Sequence, residues 1–304
     1  MTYTTLSGRS VSRFSFGTMQ FGGGADEDDA TEMYRACRDA GVNFFDTAFL
    51  YSAGRSEEIL GRLAGVEREN VFVATKCGYR SAAPDVIRSE FDDSRRRLGM
   101  EVVDLLYLHR FDEDVPLEAT FEVLAGWVAA GSVRYLGVSN FAAWQVMKAR
   151  SLGTRIEFLQ PMYNLVKRQA EVELLPMARS ETMAVCPYSP LGGGLLTGKY
   201  ATGGTGRLST DDRYAARYGL DWMPRTAAGL VEIARELGVP PITLAVAWVA
   251  SGPGVWGPII SARSADQLAP SLAAIGFKMD EELRAQLTAL SPVPPSATDR
   301  IEEA

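Results

Sequence analysis

The segments VFVATK at residues 71–76 and VDLLYLH at residues 103–109 are short apolar runs of strand length. Between them, residues 84–98 place apolar side chains at the spacing of one helix face. Pro84 suits the first turn of such a helix, and Gly99 follows as a stop signal. Strands that are apolar on both faces and joined by a helix belong to a parallel sheet. This stretch therefore predicts a strand–helix–strand unit.

The same alternation continues on both sides of this unit. Six further apolar runs are FSFG near 14–17, NFFD at 43–46, VRYLGVS at 133–139, FLQP at 158–161, MAVCPYS at 183–189 and VWGPII at 255–260. Eight parallel strands, each followed by a helix, are the number that closes a barrel. The predicted fold class is α/β, a (β/α)8 TIM barrel with long loops on its C-terminal face.

Two segments depart from the alternation. Residues 3–16 predict a β-hairpin ahead of the first strand, placed to plug the bottom of the barrel. Residues 200–222 are Gly-rich, polar and aromatic without a clear period, and a loop of that length is usually functional. We expect it to close over a bound cofactor as a lid. With no linker or repeat, residues 1–304 are predicted to form one domain.

The composition excludes several classes of protein. The chain has 304 residues and a formal net charge of −7, which disfavours nucleic-acid and anionic-membrane partners. No apolar run reaches the roughly 20 residues that span a bilayer, and no secretory signal is recognised, so a cytoplasmic location is expected. Three scattered cysteines predict reduced thiols, and a single histidine argues against a metal site. No motif indicates an oligomeric state.

Four proton-handling side chains fall at or just beyond the ends of three successive predicted strands: Asp46, Tyr51, Lys76 and His109. The active site of a parallel barrel lies at these strand ends. Each residue alone is more often structural, as a turn brace, a rim aromatic, a solvated lysine or a buried histidine. Their shared position favours a common function. We call these four residues the tetrad.

The tetrad suits the reduction of a carbonyl group to an alcohol. Hydride transfer to carbon leaves charge on oxygen, which then needs a proton. Tyr51 is a weak acid with an ordinary pKa of about 10, and a neighbouring Lys76 ammonium makes its proton easier to give. Asp46 would keep Lys76 charged and in place, and His109 would orient the carbonyl oxygen through a hydrogen bond.

An ordered series of motifs then resembles the aldo-keto reductase superfamily from about Tyr3 to Leu290. The motifs are FGTMQFGG, FFDTAFLY, ATK, DLLYLH, GVSNF, QPMYN, YSPLGGGLLTGKY and PIISARSADQL. The resemblance implies a barrel that binds NADPH in an extended form across its top, with no Rossmann fingerprint. It also implies that the tetrad is catalytic and that Tyr51 is the general acid. The partner is then a small-molecule carbonyl substrate.

The resemblance further implies a set of cofactor-binding residues: Thr18, Ser139, Asn140, Gln160, Tyr188, Ser189, Leu191, Gly192, Leu195, Lys199, Ser261, Arg263 and Gln267. Ser139, Asn140 and Gln160 would hold the nicotinamide carboxamide, while Tyr188 would stack on the ring. The turn through Leu195 would offer backbone N–H groups to the pyrophosphate.

Lys199 would add a positive charge to the pyrophosphate site. Arg263, supported by Gln267, would bind the 2′-phosphate that distinguishes NADPH from NADH. Ser261 stands where the family usually has glycine, and Ser271 stands where an asparagine often contacts adenine. Both departures concern the adenosine end of the cofactor.

The substrate pocket is predicted from position alone to include Phe49, Tyr79 and Trp222, which suits aldehydes, ketones and sugars equally. Three alternatives remain open at this point. The chain could act in the oxidative direction as an NADP-dependent sugar or polyol dehydrogenase. It could be a slow cofactor-sensing regulatory subunit, because voltage-gated potassium-channel β subunits also resemble this family. A metal-dependent barrel hydrolase is disfavoured by the single histidine.

Overall fold

Eight parallel strands form one sheet in a computed structural model of the chain, which describes residues 2–298. The predicted domain spans 1–304, so residue 1 and residues 299–304 lie outside the described residues. The strands are β1 (Ser15–Gly17), β2 (Phe44–Asp46), β3 (Phe72–Cys77), β4 (Val103–Leu108), β5 (Val133–Ser139), β6 (Phe158–Gln160), β7 (Ala184–Val185) and β8 (Ile259–Ile260). Their order in the sheet is β7-β6-β5-β4-β3-β2-β1-β8.

The two edge strands of this order, β7 and β8, meet through backbone contacts near their ends. Val185 forms an isolated parallel bridge with Val255. The Trp256 N–H donates to the Val185 carbonyl at 2.8 Å, and the Ile259 N–H donates to the Pro187 carbonyl at 2.9 Å. These contacts bring the sheet round on itself, so the predicted (β/α)8 barrel is confirmed.

Helices follow most of the strands along the chain. They are α1 (Glu27–Asp39), α2 (Arg55–Gly65), α3 (Pro84–Leu98), α4 (Leu117–Ala129), α5 (Ala143–Arg150), α6 (Leu174–Ser180), α7 (Arg207–Thr210), α8 (Asp212–Arg217), α9 (Trp222–Leu237), α10 (Pro241–Ala250), α11 (Ala265–Ala273) and α12 (Glu281–Thr288). Within residues 2–298, no single helix is both long and apolar enough to cross a membrane. In the same part of the chain, one pair of helices, α9 and α10, passes this test together, with a bend of 104° between them.

The helix between β3 and β4 shows how the local sequence fixes its own boundaries. α3 begins at Pro84, where the missing N–H costs no hydrogen bond, and buries Ile87 and Phe91 against the sheet. Gly99 ends it in the left-handed region, with φ 64°, and donates its N–H back to the last turn. The predicted range 84–98 is confirmed.

The barrel interior is filled from below by the N-terminal segment. Thr4 pairs with Ser10 in an antiparallel bridge, which turns the chain back in the predicted hairpin. Tyr3 and Val11 are buried in the inner apolar cluster with the residues that begin the strands. The centroids of the Tyr3 ring and of the Phe158 ring on β6 are 4.4 Å apart. The hairpin therefore closes the lower end and leaves the C-terminal ends of the strands open.

Residues 200–222 correct one expectation from the sequence. They include the short helices α7 and α8, and α9 begins at Trp222, so the segment is more regular than its composition predicts. We call residues 203–219 the α7–α8 segment. Its Tyr218 side chain is fully buried, and a Cβ added at Gly193 would lie 2.8 Å from the Tyr214 ring. The α7–α8 segment thus packs directly on the Gly-rich turn that follows β7.

Candidate active site

The strand ends bring the tetrad together. Asp46 is the last residue of β2, Lys76 lies one residue before the end of β3, and His109 follows β4 directly. In the sheet, Lys76 pairs with Tyr107, two residues before His109. Tyr51 begins a short 3-10 turn after β2. All four predicted residues therefore lie at the C-terminal mouth of the barrel, where parallel barrels carry their sites.

Lys76 is the centre of the group. Its side chain is fully buried, and its ammonium contacts three oxygens. It forms an ion pair with Asp46, donates to the Thr47 carbonyl at 2.6 Å and donates to the Tyr51 hydroxyl at 3.4 Å. These partners match the three donors of an ammonium group. Burial alone lowers the pKa of Lys76, but the Asp46 and Tyr51 oxygens outweigh it, and the pKa is raised.

Asp46 shares its carboxylate between two donors. One oxygen faces Lys76, and the other accepts a hydrogen bond from Gln160 Nε2 at 2.8 Å. Burial raises the pKa of Asp46, against the opposing effects of Lys76 and Gln160. Gln160 was predicted to hold the nicotinamide carboxamide, and its link to Asp46 was not foreseen. No signal in the sequence relates these two positions, which lie 114 residues apart.

Tyr51 stands on a strained turn. The two residues after it, Ser52 and Ala53, have φ of 49° and 55°, in a region that non-glycine residues rarely occupy. The Tyr51 ring lies edge-to-face with His109 at 6.2 Å, and the Lys76 nitrogen lies 4.9 Å from the Tyr51 ring centroid. Burial raises the pKa of Tyr51 despite the lowering effect of Lys76. The hydroxyl therefore holds its proton at neutral pH.

His109 is neutral at neutral pH. Burial, and then the positive charge of Lys76, lower its pKa to about 3. Its backbone N–H donates to the Cys77 carbonyl at 2.7 Å, while its ring Nδ1 is buried without a hydrogen-bond partner. The Tyr79 ring lies 5.0 Å from the His109 ring. A neutral imidazole keeps one N–H donor and can hydrogen-bond a neutral carbonyl oxygen.

A second polar group continues from the tetrad along the mouth. The Asn140 side chain donates to the His109 carbonyl at 3.0 Å and to Ser139 Oγ at 3.1 Å. Its own oxygen accepts a hydrogen bond from the Tyr188 hydroxyl at 2.7 Å. Asn140 and Ser189 both have φ near 57°, and such strain concentrates at functional sites. Asn140 thus orients Tyr188 in addition to its predicted role toward nicotinamide.

The Gly-rich sequence after β7 forms a tight turn. A 3-10 turn spans Gly192–Thr197, and Gly193 and Gly194 inside it have φ of 64° and 98°. Leu195 is buried, so only its backbone can face a ligand. A Cβ at Gly194 would lie 3.5 Å from the Lys199 ammonium nitrogen. The structure therefore brings the predicted pyrophosphate residues Leu191, Gly192, Leu195 and Lys199 around one turn.

Residues of the predicted adenosine end lie after β8. The Arg263 side chain donates to Gln20 Oε1 at 3.3 Å, and its backbone N–H donates to Gln267 Oε1 at 3.3 Å. Gly24 lies against the guanidinium, because an added Cβ would come within 3.2 Å of Arg263 Nε. Ser261, directly after β8, is exposed, so it can face a ligand. Arg263 and Gln267 are thus adjacent, as predicted.

The Thr18 side chain is engaged within the protein. Its side chain is fully buried, and its hydroxyl lies 2.8 Å from Ser56 Oγ and donates to the Asp46 carbonyl at 3.2 Å. These partners occupy the hydroxyl, so the predicted contact of Thr18 with a cofactor stays a prediction that concerns its backbone, as for Leu195. The Thr18 side chain braces the end of β2 beneath Asp46.

The predicted pocket aromatics separate in the structure. Tyr79 lies beside His109 as expected. The Phe49 ring lies against the Arg97 guanidinium, 4.6 Å from its carbon, and Trp222 begins α9 and packs on the main core. The Phe49 backbone N–H donates to the Lys76 carbonyl at 3.0 Å, so Phe49 lies beside the tetrad although its ring lies against Arg97. The pocket roles of Phe49 and Trp222 stay predictions.

A cleft of about 400 Å³ opens next to His109. Its lining is mainly polar and charged: Gly78, Tyr79, Arg80, Arg110, Phe111, Asp112, Glu113, Asp114, Asn140 and Gln145. Residues 110–114 are not among the site residues predicted from the sequence, although they directly follow His109 at the end of a predicted strand, which is where the sites of parallel barrels lie. Within residues 2–298, no cluster of three or more histidine, cysteine or acidic side chains could hold a metal ion.

Comparison with known proteins gives a consistent result. The model of the aldo/keto reductase family matches residues 13–292. The chain is 36% identical to a probable voltage-gated potassium channel subunit beta of Oryza sativa, over 90% of this chain and 91% of that protein. It is 33% identical to an uncharacterized oxidoreductase, YrpG, of Bacillus subtilis, over 98% of this chain and 97% of that protein.

Among solved structures, the chain is similar to a glycerol dehydrogenase from Gluconobacter oxydans. The TM-score is 0.83 at 28% sequence identity, and the match covers 94% of this chain and 95% of that one. The structural similarity therefore covers nearly all of both chains.

Proposed function

The chain belongs to the aldo/keto reductase family of oxidoreductases, and we propose that it reduces an aldehyde, ketone or sugar carbonyl to the alcohol with NADPH. The observation that supports this proposal most directly is the Lys76 ammonium, which faces the Tyr51 hydroxyl while it is paired with Asp46. Buried charges are costly unless they are paired, so such an arrangement indicates a function.

Tyr51 is the proton donor of the proposed reaction. Its hydroxyl is protonated at neutral pH and lies at the mouth, within reach of a carbonyl oxygen. As negative charge builds on that oxygen, the Tyr51 proton moves to it and leaves a phenolate. The Lys76 ammonium, 3.4 Å from the Tyr51 oxygen, stabilises this phenolate. Asp46 keeps the ammonium charged and in place.

His109 orients the substrate. Because its pKa is about 3, its ring is neutral and donates a hydrogen bond without competing with Tyr51 for the proton transfer. Its position beside Tyr51 lets both side chains approach the same carbonyl oxygen. Two donors on one oxygen fix the angle at which the carbonyl carbon is presented.

The family generally uses NAD(P)H, and the residues present fit NADPH. NADPH supplies the hydride when it is bound. Tyr188, held by Asn140, offers a ring for stacking, and Ser139 and Gln160 offer polar groups beside the tetrad. The turn at Gly192–Thr197 exposes backbone suited to a pyrophosphate. Arg263 offers a guanidinium suited to the 2′-phosphate.

The cleft beside His109 is the proposed substrate site. Its lining offers donors from Arg80 and Arg110 and acceptors from Glu113 and Asp114, and its Tyr79 ring lies beside His109. Mixed donors and acceptors suit a polar substrate that carries hydroxyl groups near the carbonyl. Asp112 is already engaged, since its carboxylate accepts from the Ala82 N–H at 2.8 Å.

Two other functions each have one observation in their favour. Similarity to a glycerol dehydrogenase favours the oxidative direction, in which Tyr51 would accept a proton instead of giving one. Similarity to a probable channel β subunit favours a slow cofactor-sensing role. Turnover separates them, because a sensor binds NADPH and consumes it very slowly, while a dehydrogenase favours NADP⁺ with polyols.

The experiment follows loss of NADPH absorbance with a panel of aldehydes, ketones and sugars for the wild-type and Tyr51→Phe proteins. We expect Tyr51→Phe to remove most turnover and to leave the affinity for NADPH nearly unchanged. Tyr135→Phe, at the opposite end of the barrel, is the matched control and should retain activity. Unchanged turnover in Tyr51→Phe would refute Tyr51 as the acid.

A further inference from the structure

An ion pair outside the tetrad lies directly beneath the turn that carries Tyr51. Arg97 on α3 and Glu57 on α2 approach with 3.3 Å between Arg97 NH1 and Glu57 Oε2. The Glu57 side chain is fully buried, and the Arg97 side chain is only 20% exposed. Two helices that form the outer layer thus each send a charged side chain inward. The proposed chemistry uses neither of them.

Arg97 contacts the turn on both sides of Tyr51. Its NH1 donates to the Phe49 carbonyl at 3.0 Å, and its guanidinium carbon lies 4.6 Å from the Phe49 ring centroid. On the other side of Tyr51, Gly54 leaves room for the guanidinium, because an added Cβ would lie 2.5 Å from that carbon. The planar Arg97 guanidinium therefore contacts the chain both before Tyr51, at Phe49, and after it, at Gly54.

Glu57 connects Arg97 to the strand that carries Lys76. Its Oε1 accepts a hydrogen bond from the Thr75 hydroxyl at 2.6 Å. Thr75 immediately precedes Lys76 on β3. A continuous set of polar contacts therefore runs from the backbone before Tyr51, through Arg97 and Glu57, to the residue before Lys76. One end of this set lies two residues before Tyr51, the proposed proton donor, and the other lies directly before Lys76, which would stabilise the phenolate.

The turn needs such support because its backbone is strained. Ser52 and Ala53 both have left-handed φ values, which are unfavourable for non-glycine residues and persist only when surrounding contacts impose them. Within residues 2–298, neither the Ser52 nor the Ala53 side chain forms a hydrogen bond that would hold the turn. The Arg97 contacts at Phe49 and Gly54 are placed to hold the strained conformation.

We propose that Arg97 is a positioning residue that holds the strained turn so that the Tyr51 hydroxyl stays within hydrogen-bond distance of Lys76, and that Glu57 fixes the Arg97 guanidinium for this purpose. The inference rests on the proposed function, because it assigns Arg97 to the proton donor. It concerns only the geometry of the donor, since neither Arg97 nor Glu57 reaches the mouth.

The test compares Arg97→Ala with the matched control Arg96→Ala on the same helix. Arg96 is 72% exposed and pairs only with Asp93 among the described residues, so its removal should leave activity within twofold. For Arg97→Ala we expect kcat to fall by about 10- to 100-fold, the cost of misplacing a catalytic group by roughly 1 Å. The Kd for NADPH, read from cofactor fluorescence, should change less than twofold.

Chemical rescue separates a positioning role of Arg97 from a general loss of stability, because only a positioning role predicts recovery of kcat. Free guanidinium, added well below denaturing concentrations, should restore part of the kcat of Arg97→Ala by filling the vacated site. Urea at the same concentration should not, because it is uncharged. If Arg97→Ala does not fold, Arg97→Lys serves instead, since lysine keeps the charge but loses the planar contacts with Phe49 and Gly54.

The pH profile of kcat gives a second readout. The titratable groups that face Tyr51 are Lys76, Asp46, His109, Tyr188 and Tyr214. A hydroxyl that moves away from the Lys76 ammonium has a higher pKa, so the decline of reduction at high pH should shift to higher pH in Arg97→Ala. The Arg96→Ala profile should coincide with that of the wild type.

The inference is overturned if Arg97→Ala folds and keeps kcat within twofold, or if its lost activity is unmoved by guanidinium and its pH profile is unshifted. Tyr51→Phe is measured beside it with the same substrate. If Tyr51→Phe is inactive while Arg97→Ala is normal, only the positioning inference fails. If Tyr51→Phe keeps its turnover, the proposed function fails first.

Discussion

Gln160 and Asp46, on opposite parts of the barrel wall, are joined by a hydrogen bond of 2.8 Å from Gln160 Nε2 to Asp46 Oδ2. It connects the end of β6 with the end of β2 across the mouth. The proposed cofactor side of the site is thereby tied to the anchor of Lys76. A change at Gln160 should therefore affect both the stability of the protein and the tetrad.

The first prediction concerns this bond. Gln160→Met leaves a buried oxygen of Asp46 without its donor, and we expect the free energy of unfolding to fall by about 1–3 kcal/mol. Urea unfolding at pH 7 measures the change. Gln145→Met, at the start of α5, removes only a local contact with Ala142 and serves as the control. Equal stability of Gln160→Met and the wild type would contradict the prediction.

The second prediction concerns cofactor choice. Arg263→Ala should weaken the binding of NADPH by about 1.5–3 kcal/mol, the value of a charge-assisted hydrogen bond, and should affect NADH much less. Fluorescence titration with both cofactors measures the difference. Arg235→Ala, on the exposed face of α9, is the control. Equal weakening of both cofactors would mean that another residue binds the 2′-phosphate.

The third prediction concerns acid stability. The folded pKa of His109 is about 3, below its ordinary value of about 6.5, so the unfolded chain binds the proton more readily. The stabilising contribution of neutral His109 to the free energy of unfolding is complete above about pH 6.5 and is lost as the pH falls toward about 3. We expect the wild type to lose more stability than His109→Gln between pH 7 and pH 4.5. Urea unfolding at both pH values gives the comparison, and equal losses would argue against a buried neutral imidazole.

The fourth prediction concerns the α7–α8 segment, defined above as residues 203–219. It packs on the proposed pyrophosphate turn through Tyr214 and Gly193, so a cofactor bound at that turn should stabilise it. We expect backbone amides of this segment to exchange more slowly with solvent when NADPH is bound, while those of α12 remain unchanged. Hydrogen-exchange mass spectrometry tests this directly. No slowing would count against a lid that closes over the cofactor.

The sequence was sufficient to predict the barrel because strand and helix signals repeat along it. Pro84 and Gly99 mark the two ends of α3 in the local sequence. The tetrad could be predicted because the C-terminal ends of parallel strands lie at one edge of the sheet. α7 and α8 were not predicted, because helices of 4 and 6 residues are too short to show a helical period in the sequence.

Features that depend on distant contacts were not predictable in this way. Thr18 has the residue type of a ligand-binding position, and only its packing against Ser56 shows that the hydroxyl is engaged. The bond between Gln160 and Asp46 and the contacts of Arg97 with Phe49 join positions that no local pattern relates. Such contacts arise when the helices and strands pack, and a single sequence does not encode them as a motif.

The place of β1 in the sheet has a consequence for how the protein is made. β1 lies between β2 and β8, and its Ser15 pairs with Ile259 on β8. During synthesis, one edge of this strand therefore has no partner until almost the whole chain has left the ribosome. Open strand edges invite pairing with other chains, so nascent molecules pass through a long interval of exposure. Ribosome stalling before residue 259 should leave a product that is prone to aggregate, and translation of β8 ends that exposure.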